Sequence, residues 1–237
     1  MKKNFTKICT LFLTVLLAFS LTGCSKKDEN VILQFFDAFN HTLEMNSGKI
    51  EGNFSTKAKV DSSFHFTLYL DQKDDLRFAS TIDLVAGKNE KKNFLNFYIK
   101  DGKTYLNSMG TKSQSFAKNI GIKKGEKINV FNPFLSYTDE ELIDLFKKAE
   151  KKDDIYSFEL NRSTLSSLLD SYGSIQISDA TLKAKIHKNV IQSLTLLVHG
   201  NQKINKENVD TEIALDLQVN NYNQKIKIPY PSDLESY

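Results

Sequence analysis

From Ile50 to Leu106 apolar and polar residues take turns along the chain. Ile50, Phe54, Thr56, Ala58 and Val60 interleave with Glu51, Ser55, Lys57 and Lys59. Phe64, Phe66, Leu68 and Leu70 do so with His65, Thr67 and Tyr69, and Phe78, Ser80, Ile82 and Leu84 with Ala79, Thr81 and Asp83. Leu95, Phe97 and Ile99 continue the pattern up to Asp101-Gly102, and Tyr105 and Leu106 return from it. Side chains on a strand point alternately to its two faces, so this pattern predicts strands with one apolar and one wetted face. Asp71 to Asp75 and Gly87 to Lys92 read as turns, and Asp-Gly between two such runs is a hairpin signal. An antiparallel meander is the expectation.

Other periods flank it. Ile32, Phe35, Phe36, Phe39 and Leu43 make one stripe of a helix, with Gly48 as its expected stop. Residues 111 to 172 change character: Ser115 to Ile122 reads as a short helix closed by Gly121. Thr138 and Glu141 form a capping box, with Tyr137 and Leu142 as a staple, opening a helix with stripe Leu142, Leu145, Phe146 and Ala149. In that helix Lys147, Lys148, Lys151 and Lys152 would face the negative end of the dipole. A strand over Ile155 to Leu160 precedes a helix carrying Leu165, Leu168, Leu169 and Tyr172, stopped at Gly173. Strand spacing returns with Leu182, Ala184 and Ile186, then Leu194, Leu196 and Val198. A polar loop is expected over His199 to Lys206. Two more strands carry Val209 to Val219 and Tyr222, Ile226 and Ile228, and Pro229 and Pro231 end the last one.

The chain begins with a charged run containing Lys2, Lys3 and Lys7, then an apolar run from Ile8 to Leu21 that is short for a membrane span. This is the pattern of a secretory signal, and its ending, Leu21-Thr22-Gly23-Cys24, resembles the lipobox of bacterial lipoproteins. The resemblance implies removal of residues 1–23, a diacylglyceryl-type lipid on Cys24 and anchorage to the extracytoplasmic face of a cell membrane. Residues 24–30 would be a tether, reaching no more than ~20 Å at ~3.5 Å per residue. Residues 31–237 read as a single domain.

With those three lysines gone, the mature chain has 29 basic and 29 acidic residues. That balance argues against a nucleic-acid binder, which keeps a basic excess. Cys9 leaves with the signal and Cys24 carries lipid, so disulfides, thiolate metal sites and thiol catalysis are excluded from the domain. A basic set that is lysine apart from Arg77 and Arg162, together with many asparagines, suggests an AT-rich bacterial genome.

Catalytic spacings are missing: no Gly-Xaa-Ser-Xaa-Gly elbow, no phosphate-binding glycine loop, no His-Glu-Xaa-Xaa-His helix. His41, His65, His187 and His199 are scattered, with no partner at ligand spacing. Asp74-Asp75 and Asp153-Asp154 read as turns. The expectation is a non-enzyme without cofactor or metal. Phenylalanine is abundant, with 17 Phe against no Trp. Such residues either fill a core or line a hydrophobic cleft, and alternation alone does not separate the two. The candidate cleft residues are Phe35, Phe36, Phe39, Phe64, Phe66, Phe97, Leu142 and Phe146.

The order of tether, helix, meander, helical insertion and second strand set resembles the LolA-like, LppX-like lipoproteins. Besides the lipobox, the resemblance rests on Tyr98-Ile99-Lys100-Asp101-Gly102-Lys103-Thr104-Tyr105, on Phe158-Glu159-Leu160 before the Leu165 helix, and on Ile226 to Pro229. It implies an α+β fold, a strongly curved antiparallel half-barrel of about ten strands with helices across its concave face. It also implies a lipid or other hydrophobic ligand in a cleft between sheet and helices. The alternative is a partner-binding or envelope-sensing module, engaging an envelope protein through a packed domain with no ligand.

Overall fold

The computed structural model describes residues 28–123, 125–127, 132–169, 175–204 and 207–237. The lipobox and Cys24, the Tyr172-Gly173 helix end and Phe131 lie outside the described residues.

The described residues open on α1 (Glu29–Leu43), capped by the Asp28 carboxylate, which accepts from Val31 N at 3.3 Å. Six strands follow as a meander: β1 (Ser47–Lys57), β2 (Ser62–Asp71), β3 (Arg77–Ala86), β4 (Asn89–Lys100), β5 (Lys103–Ser108) and β6 (Thr111–Phe116). After α2 (Asp139–Asp144) come β7 (Phe146–Lys152), β8 (Ile155–Leu160), α3 (Arg162–Leu169), β9 (Ile175–His187), β10 (Val190–Ile204) and β11 (Glu207–Asn220). Among the described residues these eleven strands form one antiparallel sheet in the order β6-β5-β4-β3-β2-β1-β11-β10-β9-β8-β7. Its two meanders are joined where β1 pairs with β11, and β6 and β7 are its edges, so the sheet is unclosed.

Tight turns fix the meander. Asp101 (φ 51°) and Gly102 (φ 72°) both take the left-handed conformation that a two-residue hairpin needs, as do Lys188 and Asn189. The α1 stripe is buried as expected at Ile32, Phe35 and Phe36, but the helix ends at Leu43, before Gly48, which already belongs to β1.

Four other expectations are corrected. The capping box forms, with Thr138 N donating to Glu141 Oε2 at 2.8 Å and Glu141 N to Thr138 Oγ at 3.3 Å, yet α2 stops after six residues. Phe146 and Ala149, three apart, both point inward because a bulge between Phe146 and Lys148 shifts the β7 register. That spacing imitates a helical stripe, so the four lysines lie on an edge strand and not at a helix end. Thr111 to Phe116 is an edge strand exposed at every position, which leaves no periodicity to see. Only Ala117–Ile120 forms a helical turn, of 3-10 type, closed by Gly121 at φ 82°. The stretch from His199 is not a loop: β10 runs on to Ile204 and β11 starts at Glu207.

Last, Tyr222, Ile226 and Ile228 do not form a strand. Asn221 (φ 57°) and Asn223 (φ 55°) turn the chain round the end of β1, where Asn223 N donates to Ser47 O at 2.7 Å. Tyr222 then packs on one face of the sheet, while Ile226, Ile228 and Leu234 pack on the other against Ala79, Tyr98 and Tyr105.

Candidate functional site

Register places every apolar strand position on a face. One row of cross-strand partners runs Leu95, Ile82, Phe66, Gly52, Leu217, Leu194, Ala184, Tyr156, from β4 to β8. A second runs Leu84, Phe64, Phe54, Leu215, Leu196, Leu182, Phe158, Ala149, from β3 to β7. All of these residues share the inner face, the one on which the helices lie.

Among the described residues the helices cover one end of it. Val31, Ile32, Phe35 and Phe36 of α1 pack with Phe146, Ala149, Tyr156, Phe158, Leu182, Ala184 and Leu194, all buried. Ring centroids approach closely there: Phe146–Phe158 at 4.7 Å, Phe35–Phe158 at 5.1 Å and Phe36–Phe134 at 5.2 Å. Polar contacts pin α1 down, with Ile191 N donating to Thr42 Oγ at 2.9 Å and Asn189 Nδ2 to Asp37 Oδ2 at 2.8 Å. Phe35, Phe36 and Phe146 are each 4% exposed. They are the interior of this end.

Burial falls off from Leu196 on β10 and Leu217 on β11. Leu215, Phe54, Phe64, Leu84, Phe66, Ile82 and Leu95 are half-buried, as are Leu68, Phe78 and Phe97. Ring centroids here are 6.5 Å apart for Phe54–Phe64 and 6.1 Å for Phe78–Phe97, against 4.7–6.3 Å around α1. Gly52 lies at the bottom of this stretch. A Cβ there would come 2.2 Å from Phe66 Cζ and 2.7 Å from Leu217 Cδ2, so only glycine lets those two side chains lie flat across the strand. Each of these side chains keeps a minority of its surface in water and so forgoes part of the ~1.5–3 kcal/mol that full burial would contribute. The result is an apolar trough on the first meander and the β11 seam.

At the lower end, beside the Asp101-Gly102 turn, the trough floor meets a hollow of about 410 Å3 whose lining includes Leu76, Ile99, Ala117 and Ile122. Ile99 shares its face with Phe97, which packs against the same cluster. The hollow is within the ~300–1,000 Å3 usual for ligand sites, and its lining also includes Asp75, Asp101, Lys118 and Lys123.

The predicted cleft residues therefore divide. Phe35, Phe36 and Phe146 are joined in one packed cluster, with Phe39 and Leu142 partly buried against it. Phe64, Phe66 and Phe97 belong to the trough. Phe54, Ile82, Leu84, Leu95 and Leu215 complete the trough and were not singled out by sequence. Their signal was the cross-strand register, which a sequence does not print.

On the outer face behind the trough, residues 226–237 cover an aromatic patch of Tyr69, Tyr98 and Tyr105. Tyr230 OH donates to Ile99 O at 2.7 Å, Lys100 pairs with Glu235 at 3.2 Å, and Lys112 pairs with Asp233. Burial first, then the neighbouring Tyr237, pushes the Tyr98 phenol up to about 12, and burial does the same to Tyr230. Among the described residues no cluster of three or more His, Cys, Asp or Glu is placed to hold a metal ion. No described helix is long and apolar enough to cross a membrane.

No protein-family model and no curated protein sequence matches the chain. Among solved structures, LprF from Mycobacterium bovis is 9% identical, covering 85% of this chain and 97% of its own, with a TM-score of 0.40. A LolA superfamily protein from Nitrosomonas europaea is 8% identical over 83% and 93% of the two chains, with a TM-score of 0.29. A β-barrel-like protein of a domain of unknown function from Brucella abortus is 7% identical over 74% and 99%, with a TM-score of 0.19. Likeness at these values assigns neither family nor ligand.

Proposed function

We propose that this chain is a non-catalytic, extracytoplasmic lipoprotein, anchored through a lipid on Cys24, that holds a lipid or other apolar ligand in the trough. The observation that carries the reading is the partly buried row Leu84, Phe64, Phe54, Leu215 and Leu196 on the inner face, which continues into the buried Leu182, Phe158 and Ala149. A contiguous row of apolar side chains that all keep part of their surface in water is stabilised by whatever covers it. The lipobox pattern at Leu21 to Cys24 supports the anchor.

Native mass spectrometry of the protein extracted from its host membrane tests the ligand. The expected spectrum carries an adduct of lipid mass, and a ligand-free protein that also ignores lipid vesicles would sink the reading. For the anchor, Cys24→Ser is expected to leave the precursor unprocessed and to abolish metabolic labelling with palmitate.

The second reading, a partner-binding module, draws on the other end of the same face, where Phe35, Phe36 and Phe146 are sealed at 4% exposure. There the domain is a packed core. A labelled trough that responds to an envelope protein and not to lipid would favour it.

A further inference from the structure

On the outer face, directly behind Val198 and Ile213, one histidine touches two carboxylates from two different strands. His199 on β10 places Nδ1 3.0 Å from Asp179 Oδ2 of β9 and Nε2 3.2 Å from Glu212 Oε2 of β11. A neutral imidazole has one N–H and one lone pair, and an ionised carboxylate only accepts. Two such contacts at hydrogen-bond distance require both ring nitrogens to carry protons. We propose that His199 is a doubly protonated clamp that fastens β9 to β11 across β10, and that its deprotonation loosens this end of the sheet.

The surroundings fit a clamp. The β9–β10 register shifts between His199 and Gly200, so the ladder is interrupted at this point. Ser178 bridges the gap, its hydroxyl donating to His199 O at 3.1 Å and lying 3.4 Å from Asp179 Oδ1. From β11, Asp210 lines the same hollow as His199 and Glu212. From β1, Lys57 Nζ holds the other Glu212 oxygen at 2.7 Å, with Asp61 acting on that lysine. The nearest charges to the ring are thus two acids, and the lysine is neutralised by one of them. The hydrogen bond to Asp179, followed by the fields of Asp179 and Glu212, raises the His199 pKa, while the Lys57 and His199 contacts lower that of Glu212.

A raised histidine contributes stability below its unfolded pKa and loses it as pH rises through the folded value. A lowered carboxylate contributes above its unfolded pKa and loses it as pH falls. The clamp is closed between those limits and opens on the alkaline side through His199.

Nitrogen-15 NMR of the histidines in the full chain, with amide exchange corrected for its intrinsic pH dependence, tests this. His199 is expected to titrate above about 6.5, with both nitrogens protonated below its midpoint. Exchange at Gly200 and Thr211 is expected to rise several-fold across the same midpoint. Glu212→Gln and Asp179→Asn should each lower the midpoint, and His199→Gln should abolish the step in exchange. A midpoint at or below 6.5, or an exchange step that persists in His199→Gln, overturns the clamp.

Discussion

The two ends of the inner face are built from the same material and differ in what lies over them. From β7 to β10 the alternating strand residues meet the α1 stripe, and Phe158, Leu182 and Ala184 are buried. From β11 to β4 the same alternation continues through Leu215, Phe54, Phe64 and Leu84, now half-buried. Strand pattern decides which residues share a face. A covering element decides whether that face becomes a core or a surface for something else.

The difference can be broken most directly by truncation. Phe158→Ala is expected to cost about 3–5 kcal/mol, because the rings around it at 4.7–5.1 Å leave no easy collapse. Phe64→Ala, at a half-buried position with its nearest ring partner 6.5 Å away, is expected to cost well under half as much. Urea unfolding measures both, and equal losses would mean that the two ends are equally packed.

Adding volume gives a second contrast. Gly52→Ala displaces Phe66 and Leu217 from the trough floor, and about 1–3 kcal/mol of destabilisation is expected, with weaker uptake of an apolar probe. Because the chain has no tryptophan, Phe66→Trp supplies a single reporter. Its emission is expected to move to the blue on adding lipid, whereas Phe158→Trp should emit from an apolar site throughout.

A smaller effect, about 1 kcal/mol, is expected for Thr138→Ala, which removes the cap that starts α2 over the closed end. Thermal unfolding reads it, and probe uptake should not change.

The smallest effect belongs to the outer face. Lys112 and Lys100 hold the Asp233 and Glu235 carboxylates below their usual range. Their contribution is present above the unfolded values and is lost as pH falls through the folded ones. Amide exchange over residues 226–237 should rise in acid before the trough strands respond. At the other extreme, the raised phenols of Tyr98 and Tyr230 favour the attached tail below about 10 and lose that effect as pH climbs through about 12. Phenolate absorbance should show Tyr98 and Tyr230 among the last tyrosines to ionise, and truncation after Asn223 should make Tyr98 ionise earlier.

Much of this was legible. The α1 stripe, the Asp101-Gly102 hairpin and the β1 to β5 alternation each have a local physical cause, and each forms. Where two structures share one spacing, the sequence was silent. Leu142, Leu145, Phe146 and Ala149 suit a helix or a bulged strand equally. Thr111 to Phe116 is exposed at every position, with no apolar alternation to advertise it. Ile226 and Ile228 bury one side like a strand, yet they rest on the outer face and not in the ladder. Within the candidate site, Phe36 and Phe66 look alike in sequence. The first meets Phe134 and Phe146, the second lies over a glycine, and only long-range pairing sets them apart.

The seam between the meanders has a consequence for how the molecule comes into being. Lys49 pairs with Asn220 and Lys57 with Glu212, so the floor of the trough joins strands from opposite ends of the chain. Contacts so distant in sequence form slowly. Until Glu207–Asn220 is available, the first meander has an unpaired edge at β1 and an unshared apolar face, an aggregation hazard for any chain that pauses there. A chain ending before β11 would therefore lose more than one strand: its two half-sheets would have no common wall, and the apolar face of the first would stay unshared until the last strand arrived.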